Sequence, residues 1–236
     1  MSFDAAEPAD IADRRLFRRM TAIGFLLFLV VWACLPNIGP VFRTYHLGSE
    51  VMEPTIEYEE ATVWANRLAY GLGPFSYDWF PLPLAGRWPD LLPMRGDVIV
   101  FRLEDGRDMV MRVVGLPGDR VRLLRNELWI NEAQVPRRVL DRPSDVPAEA
   151  DCDSRLVEER LPEGRSFTHY EKIVCSDKST PPLSTTPIVE VPARRLFVLG
   201  DNRDNAADSR VATEDGGVGL VPVESIVGRI EFVYDR

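Results

Sequence analysis

Residues 21–35 run without a charge, from Thr21 through Gly24 and Trp32 to Leu35, directly behind Arg14, Arg15, Arg18 and Arg19. A bilayer core takes roughly 20 apolar residues as a helix, and this run reaches that length if Pro36 lies near the far interface. Arginines crowd one flank only, which predicts an N-terminus held in the cytoplasm. We therefore read 1–19 as a cytoplasmic tail, 20–42 as a transmembrane anchor, and everything beyond as extracytoplasmic. Cleavage as a signal peptide would want small residues before the cut, and Cys34-Leu35-Pro36 does not supply them. Val31-Trp32-Ala33-Cys34 loosely resembles a lipoprotein box, which leaves lipidation at Cys34 as an alternative.

Over the whole sequence, 45% hydrophobic and 28% charged residues describe a chain able to bury a core. A net charge of −9 argues against a nucleic-acid partner, which would require a basic face. Lys172 and Lys178 are the only lysines. The histidines, His46 and His169, and the three cysteines show no zinc spacing, so no metal and no cofactor are expected. Cys152 and Cys175 would stand in an oxidising compartment, where a disulfide is favoured over two free thiols. Closing a loop of about 24 residues, it would contribute on the order of 3 kcal/mol.

The rest reads as antiparallel β structure. Residues 97–102 and 109–114 are rich in β-branched groups and flank Glu104-Asp105-Gly106, a hairpin signal. Residues 121–124 and 128–130 form a second pair around Arg125-Asn126-Glu127, and 196–199 and 226–233 supply further strands. Sustained helical periodicity is almost lacking after the anchor. The expected fold class is mostly β, an N-terminal transmembrane helix followed by an antiparallel sheet domain over 43–140 and 193–236. The polar, proline-rich segment 141–192, which holds both external cysteines, reads as an inserted small subdomain. Residues 71–92 gather Phe75, Trp79, Phe80, Trp88 and several leucines among prolines and glycines. They read as either a lid over the core or, as we favour, a surface dipping into the membrane interface.

Several segments, in order, resemble bacterial type I signal peptidases. Val51-Met52-Glu53-Pro54-Thr55-Ile56 is similar to that family's S-M-x-P-T-L nucleophile segment, and 66–71 to its K-x-x-Y-G neighbourhood. Residues 95–101, RGDVIVF, resemble its R-G-D-I-V-V-F strand. Residues 111–119, MRVVGLPGD, match the K-R-V-V-G-L-P-G-D strand and turn that carry its lysine. Residues 200–210, GDNRDNAADSR, are nearly its G-D-N-R-D-N-S-x-D-S-R signature. The resemblance implies a signal peptidase-type sheet and a place in protein export at the bacterial inner membrane.

It also implies chemistry that these residues lack. A serine becomes nucleophilic when a neighbouring base takes its proton, and a lysine serves as that base when desolvated. The motifs place the nucleophile position on Val51, the base position on Met111 and the orienting serine on Ala206. None of the three can exchange a proton, and methionine can fill a lysine channel as an apolar stem. The expected activity is therefore none. Ser49 remains as an oxyanion donor or substitute nucleophile, but Lys172 and Lys178 lie far off in sequence and His46 should face the other way. Asp201, Arg203, Asp204, Asp208 and Arg210 are expected to form a tight, ion-paired structural turn, with Arg112 a further partner, rather than a cation site.

Signal peptidases hold substrate as an added β-strand, which implies a groove flanked by Tyr45, Leu47 and Val110. Three functions compete. One is a non-catalytic homologue that binds signal peptides or exported preproteins, or assists secretion and surface assembly beside an active peptidase. The others are a peptidase working through Ser49 and a structural membrane subunit. The first is the reading we carry forward.

Overall fold

The computed structural model describes residues 20–29, 41–57, 61–76, 86–140, 152–175 and 183–234. The chain divides into two compact units, Met1–Val41 and Phe42–Arg236. In the first, residues 20–29 are helical and exposed. No helix among the described residues is long and apolar enough to cross a membrane. Most of the remaining expected span, 30–40 with Cys34, lies outside the described residues. Phe42, expected to close the anchor, instead opens a strand whose residues alternate between exposed and half-buried. The alternation has the two-residue period of a sheet edge and not the period of a helix.

The second unit is mostly β. Its largest sheet uses β1 (Phe42–His46), β2 (Thr62–Asn66), β3 (Val98–Arg102), β4 (Asp108–Gly115), β12 (Arg195–Leu199), β13 (Val221–Pro222) and β14 (Ile226–Tyr234). They lie in the order β1-β2-β14-β3-β4-β12-β13, with every pair antiparallel. Residues 111–115 of β4 are all buried, because both faces of this central strand are covered. A four-stranded sheet, β11-β5-β6-β7, joins β5 (Arg120–Leu124), β6 (Glu127–Ile130), β7 (Ala133–Gln134) and β11 (Val189–Glu190). Its β5–β6 turn places Arg125 and Asn126 at φ 53° and 67°, the left-handed pair that a two-residue hairpin requires. The third sheet, β10-β9-β8, is built from β8 (Arg137–Val139), β9 (Cys152–Arg160) and β10 (Ser166–Cys175).

Three apolar clusters fill the interior. The first gathers Met111, Ile99, Phe101, Val113, Val198, Tyr70 and the 218–226 segment. The second lies between the large sheet and the four-stranded one, around Val114, Val121, Leu128 and Phe197. The third packs Met52, Ile56, Val63, Val100, Val110 and Val227. Val51 is half-buried against both the first and the third.

Segments read as loop or insertion divide differently. Residues 77–85, nine of the 22 in the predicted membrane-facing surface, lie outside the described residues. Of the part that is described, Trp88 is 73% exposed, while Phe75 is half-buried beneath the Arg102 guanidinium, 4.8 Å from its ring centroid. Residues 141–151 and 176–182 are likewise outside. Between them, β9 and β10 form a hairpin much longer than their composition announced. Cys175 is in backbone register opposite Cys152, although neither side chain is described.

Candidate active site and peptide groove

The site is assembled by β4, the chain leaving β1 and the loop 200–210. After β1, Ser49 adopts an extended conformation and Glu50–Met52 form one 3-10 turn. Met52 is buried, and its carbonyl accepts from the Ile56 amide, which folds the Pro54-Thr55 turn back beneath it. Val51 is then presented to the loop 200–210, where its carbonyl accepts the Asn202 amide at 2.9 Å. Asn205 adds a second tie, donating to Glu50 at 3.1 Å.

Gly200 has no room for a side chain. A Cβ there would lie 2.5 Å from the Ala206 Cβ, 2.8 Å from the Val51 carbonyl oxygen and 2.9 Å from its Cγ1. Val51 and Ala206 thus close on the same glycine. Met111, with no exposed surface, belongs to the cluster against which Val51 packs. Of the three positions singled out by sequence, Val51 and Ala206 meet at Gly200, and Met111 lies in the apolar cluster that Val51 packs against.

One residue along β4, Arg112 faces the opposite way and ties the framework. It donates to Asp201 at 2.8 Å through Nε, to the Gly96 carbonyl at 2.9 Å and to the Thr55 hydroxyl at 3.1 Å. Asp208 accepts from Arg210 at 2.8 Å and from the Gly200 amide at 3.2 Å. Arg203 departs from the expected pairing within the signature: it reaches Glu159 of β9 at 2.8 Å, with both side chains almost fully buried. Asp204 stays half-buried on the loop.

Ser49 is exposed and its hydroxyl caps no amide. His46, the nearest histidine in sequence, is turned to the Thr62 hydroxyl at 3.3 Å across the β1–β2 pair. Lys178 lies outside the described residues, and Lys172 is described in its backbone alone.

Tyr45 and Leu47 are half-buried against the cluster that contains Val110. The Tyr45 hydroxyl is buried without a hydrogen-bond partner. Burial, then the Asp108 carboxylate, pushes it up to about 12. Beside these residues β4 has an open edge. β12 pairs with β4 at Arg112, Val113 and Gly115, and no strand among the described residues covers Asp108–Met111 on that side. The Val113 amide points to Asp97 on the β3 side. With a two-residue period, the amides and carbonyls of Asp108 and Val110 therefore face outward. An unpaired edge of this kind is open to pairing with a further strand.

The sequence reading missed a second buried centre, on the three-stranded sheet. His169 and Glu159 have no exposed side-chain surface, and Glu171 has 1%. The signal was present in the alternation of Phe167, His169 and Glu171, since a phenylalanine on one face of a strand marks that face as buried.

A profile of the family described as Signal peptidase, peptidase S26 matches residues 18–235. A signal peptidase I from Rickettsia typhi is 31% identical over 204 residues, covering 82% of this chain and 72% of that protein. One from Rickettsia conorii is 28% identical over 221 residues, covering 89% and 77%. A crystal structure of a signal peptidase I from Enterococcus faecalis aligns with a TM-score of 0.34 at 24% identity, covering 59% of this chain and 97% of that one. With a family profile spanning residues 18–235 and a relative 31% identical over most of both chains, the chain belongs to the signal peptidase, peptidase S26 family.

Proposed function

We propose that this chain is a non-catalytic signal peptidase I homologue that receives an extended segment of an exported protein along the open edge of β4. The observation that carries this reading is the juxtaposition at that edge. Outward-facing amides and carbonyls of Asp108 and Val110 lie beside a contact of Val51, Ala206 and Gly200 that contains no proton acceptor. A strand added there would gain main-chain hydrogen bonds and could seat alternate side chains on Tyr45, Leu47 and Val110. Cleavage would need an activated nucleophile, and Val51 and Met111 stand where the family motif carries its serine and lysine.

The same reading includes a single membrane anchor within 20–42, a β domain outside a bacterial inner membrane, and association with preproteins or with secretion and assembly machinery. The uncharged run behind four arginines supports the anchor. A Cys152–Cys175 disulfide is part of the proposal. Directly opposed residues on antiparallel strands lie about 4.5–5.5 Å apart at Cα, within the range a disulfide spans.

The test is cleavage of a purified preprotein by the wild-type chain, by Ser49→Ala and by Val51→Ser/Met111→Lys, with binding of a signal-peptide-like peptide measured in parallel. We expect no wild-type turnover, peptide binding weakened by substitution at Val110 or Leu47, and some turnover in the double variant. Turnover by the wild type that disappears in Ser49→Ala would replace this proposal with a peptidase using a relocated nucleophile.

A further inference from the structure

The loop 200–210 is gripped from two directions. On one side it holds the Glu50–Met52 turn through Asn202 and Asn205. On the other it is threaded onto β10: the Tyr170 amide donates to the Asp201 carbonyl at 2.8 Å, and the Arg203 amide to the Tyr170 carbonyl at 3.0 Å. Tyr170 and Asn202 thereby form a parallel bridge between the three-stranded sheet and the loop.

Behind that bridge lies the cluster of Glu159, His169, Glu171 and Arg203. Arg203 pairs with Glu159 at 2.8 Å, and Arg137 of β8 pairs with Glu171. Arg112 of β4 pairs with Asp201, and Arg210 with Asp208. Each of these four guanidiniums is thus matched by one carboxylate, and among these groups the charge balances with the imidazole neutral. His169 stands between the two glutamates, 3.9 Å from Glu159 and 3.5 Å from Glu171, with neither ring nitrogen hydrogen-bonded. Glu159 Oε1, Glu171 Oε2, and Nε and Nη1 of Arg203 are also without partners. Buried polar atoms left without a hydrogen bond are costly, so this cluster is held under strain between the two sheets' arginines.

We propose that Glu159, His169, Glu171 and Arg203 are positioning residues: a charge-balanced clamp by which the three-stranded sheet holds the loop 200–210, and through Asn202 the Val51 carbonyl, in place. The clamp is independent of what the groove binds. It is also sensitive to acid. A proton on His169 adds a cation that no carboxylate remains to match, since Glu159 and Glu171 are each committed to an arginine. Burial, and then the guanidiniums of Arg203, Arg137, Arg112 and Arg210, hold the imidazole well below its ordinary range. Burial pushes the Glu171 carboxyl up against the pull of Arg137, which by linkage favours the closed cluster as acid is added and so opposes the response of His169.

The experiment is amide hydrogen exchange on the full chain in detergent, for wild type, Glu159→Gln and His169→Gln. At pH 7, Glu159→Gln should speed exchange in 49–53 and 200–206 by about tenfold or more, because it strands Arg203, while β3 and β4 keep their wild-type protection. Unchanged exchange in those two segments would overturn the clamp. Should Glu159→Gln fail to fold, the acid arm decides. Moving wild type from pH 7 to pH 5, after correction for intrinsic rates, should loosen 49–53, 166–171 and 200–206 selectively, and His169→Gln should abolish that response. A wild type indifferent to acid, or an acid response that survives in His169→Gln, would refute the proposal. Neither arm requires the chain to bind a peptide.

Discussion

Two buried centres flank the loop 200–210, and they are made of opposite materials. On the β4 side, Val51 and Ala206 close on Gly200, and Met111 lies in the apolar cluster that Val51 packs against. On the β9–β10 side, Glu159, His169, Glu171 and Arg203 keep charges away from water. Replacing a buried polar set by apolar groups of similar volume is neutral or stabilising, whereas a buried ion pair repays its desolvation only with good geometry. The difference teaches where this chain tolerates that cost. Charge is kept where it joins one sheet to another through a loop, and is lacking at the contact of Val51 and Ala206 with Gly200.

The comparison breaks first at Glu159. Glu159→Ala should lose about 3–5 kcal/mol in denaturant unfolding, because Arg203 is left buried and unpaired. A loss under about 1 kcal/mol would place the charged centre on a level with a surface pair. Met111→Ala, on the apolar side, should cost about 3 kcal/mol from lost burial and the cavity left behind, with no dependence on pH between 5 and 8. A pH-dependent cost would mean that the apolar centre conceals a titrating neighbour.

The smallest expected effect is the acid response of stability. The folded-state pKa of His169 is depressed, so the unfolded chain takes up a proton near 6.5 that the native cluster refuses. Stability from this group is full above that pH and falls below it by about 1.4 kcal/mol per unit, or about 2 kcal/mol between pH 6.5 and 5. The raised Glu171 carboxyl acts in the opposite sense and blunts the lower end of that window. Unfolding midpoints measured at pH 7 and pH 5 on wild type and His169→Gln check it, and equal slopes in the two proteins would remove His169 from the account.

Much of the large sheet could be read in advance, because its strands are local and β-branched. The β3–β4 and β5–β6 hairpins fall where valine and isoleucine runs flank turn residues. β1 and β2 were missed: FRTYH and TVWAN are short and mixed, and they become strands by pairing with each other and with β14. The β9–β10 hairpin was missed for a related reason. Its polar alternation resembles a loop until one sees that the inward positions are charges satisfied by Arg137 and Arg203, residues distant in sequence. At the candidate site, motif order brought Val51, Met111 and Ala206 together, but it assigned Arg203 to its own segment. The true partner lies 44 positions away on β9.

The place of β14 in the large sheet governs how the protein can be made. Residues 226–234 lie between β2 and β3, so the strands at 62–66 and 98–102 are joined only through β14, once the chain is synthesised nearly to position 234. A nascent chain must hold β1–β2 and β3–β4 apart as two fragments with raw edges for most of synthesis. Pairings this distant are slow to close and prone to stray association while they wait. The two fragments are therefore expected to lock together only when β14 inserts between them, with that strand acting as the keystone.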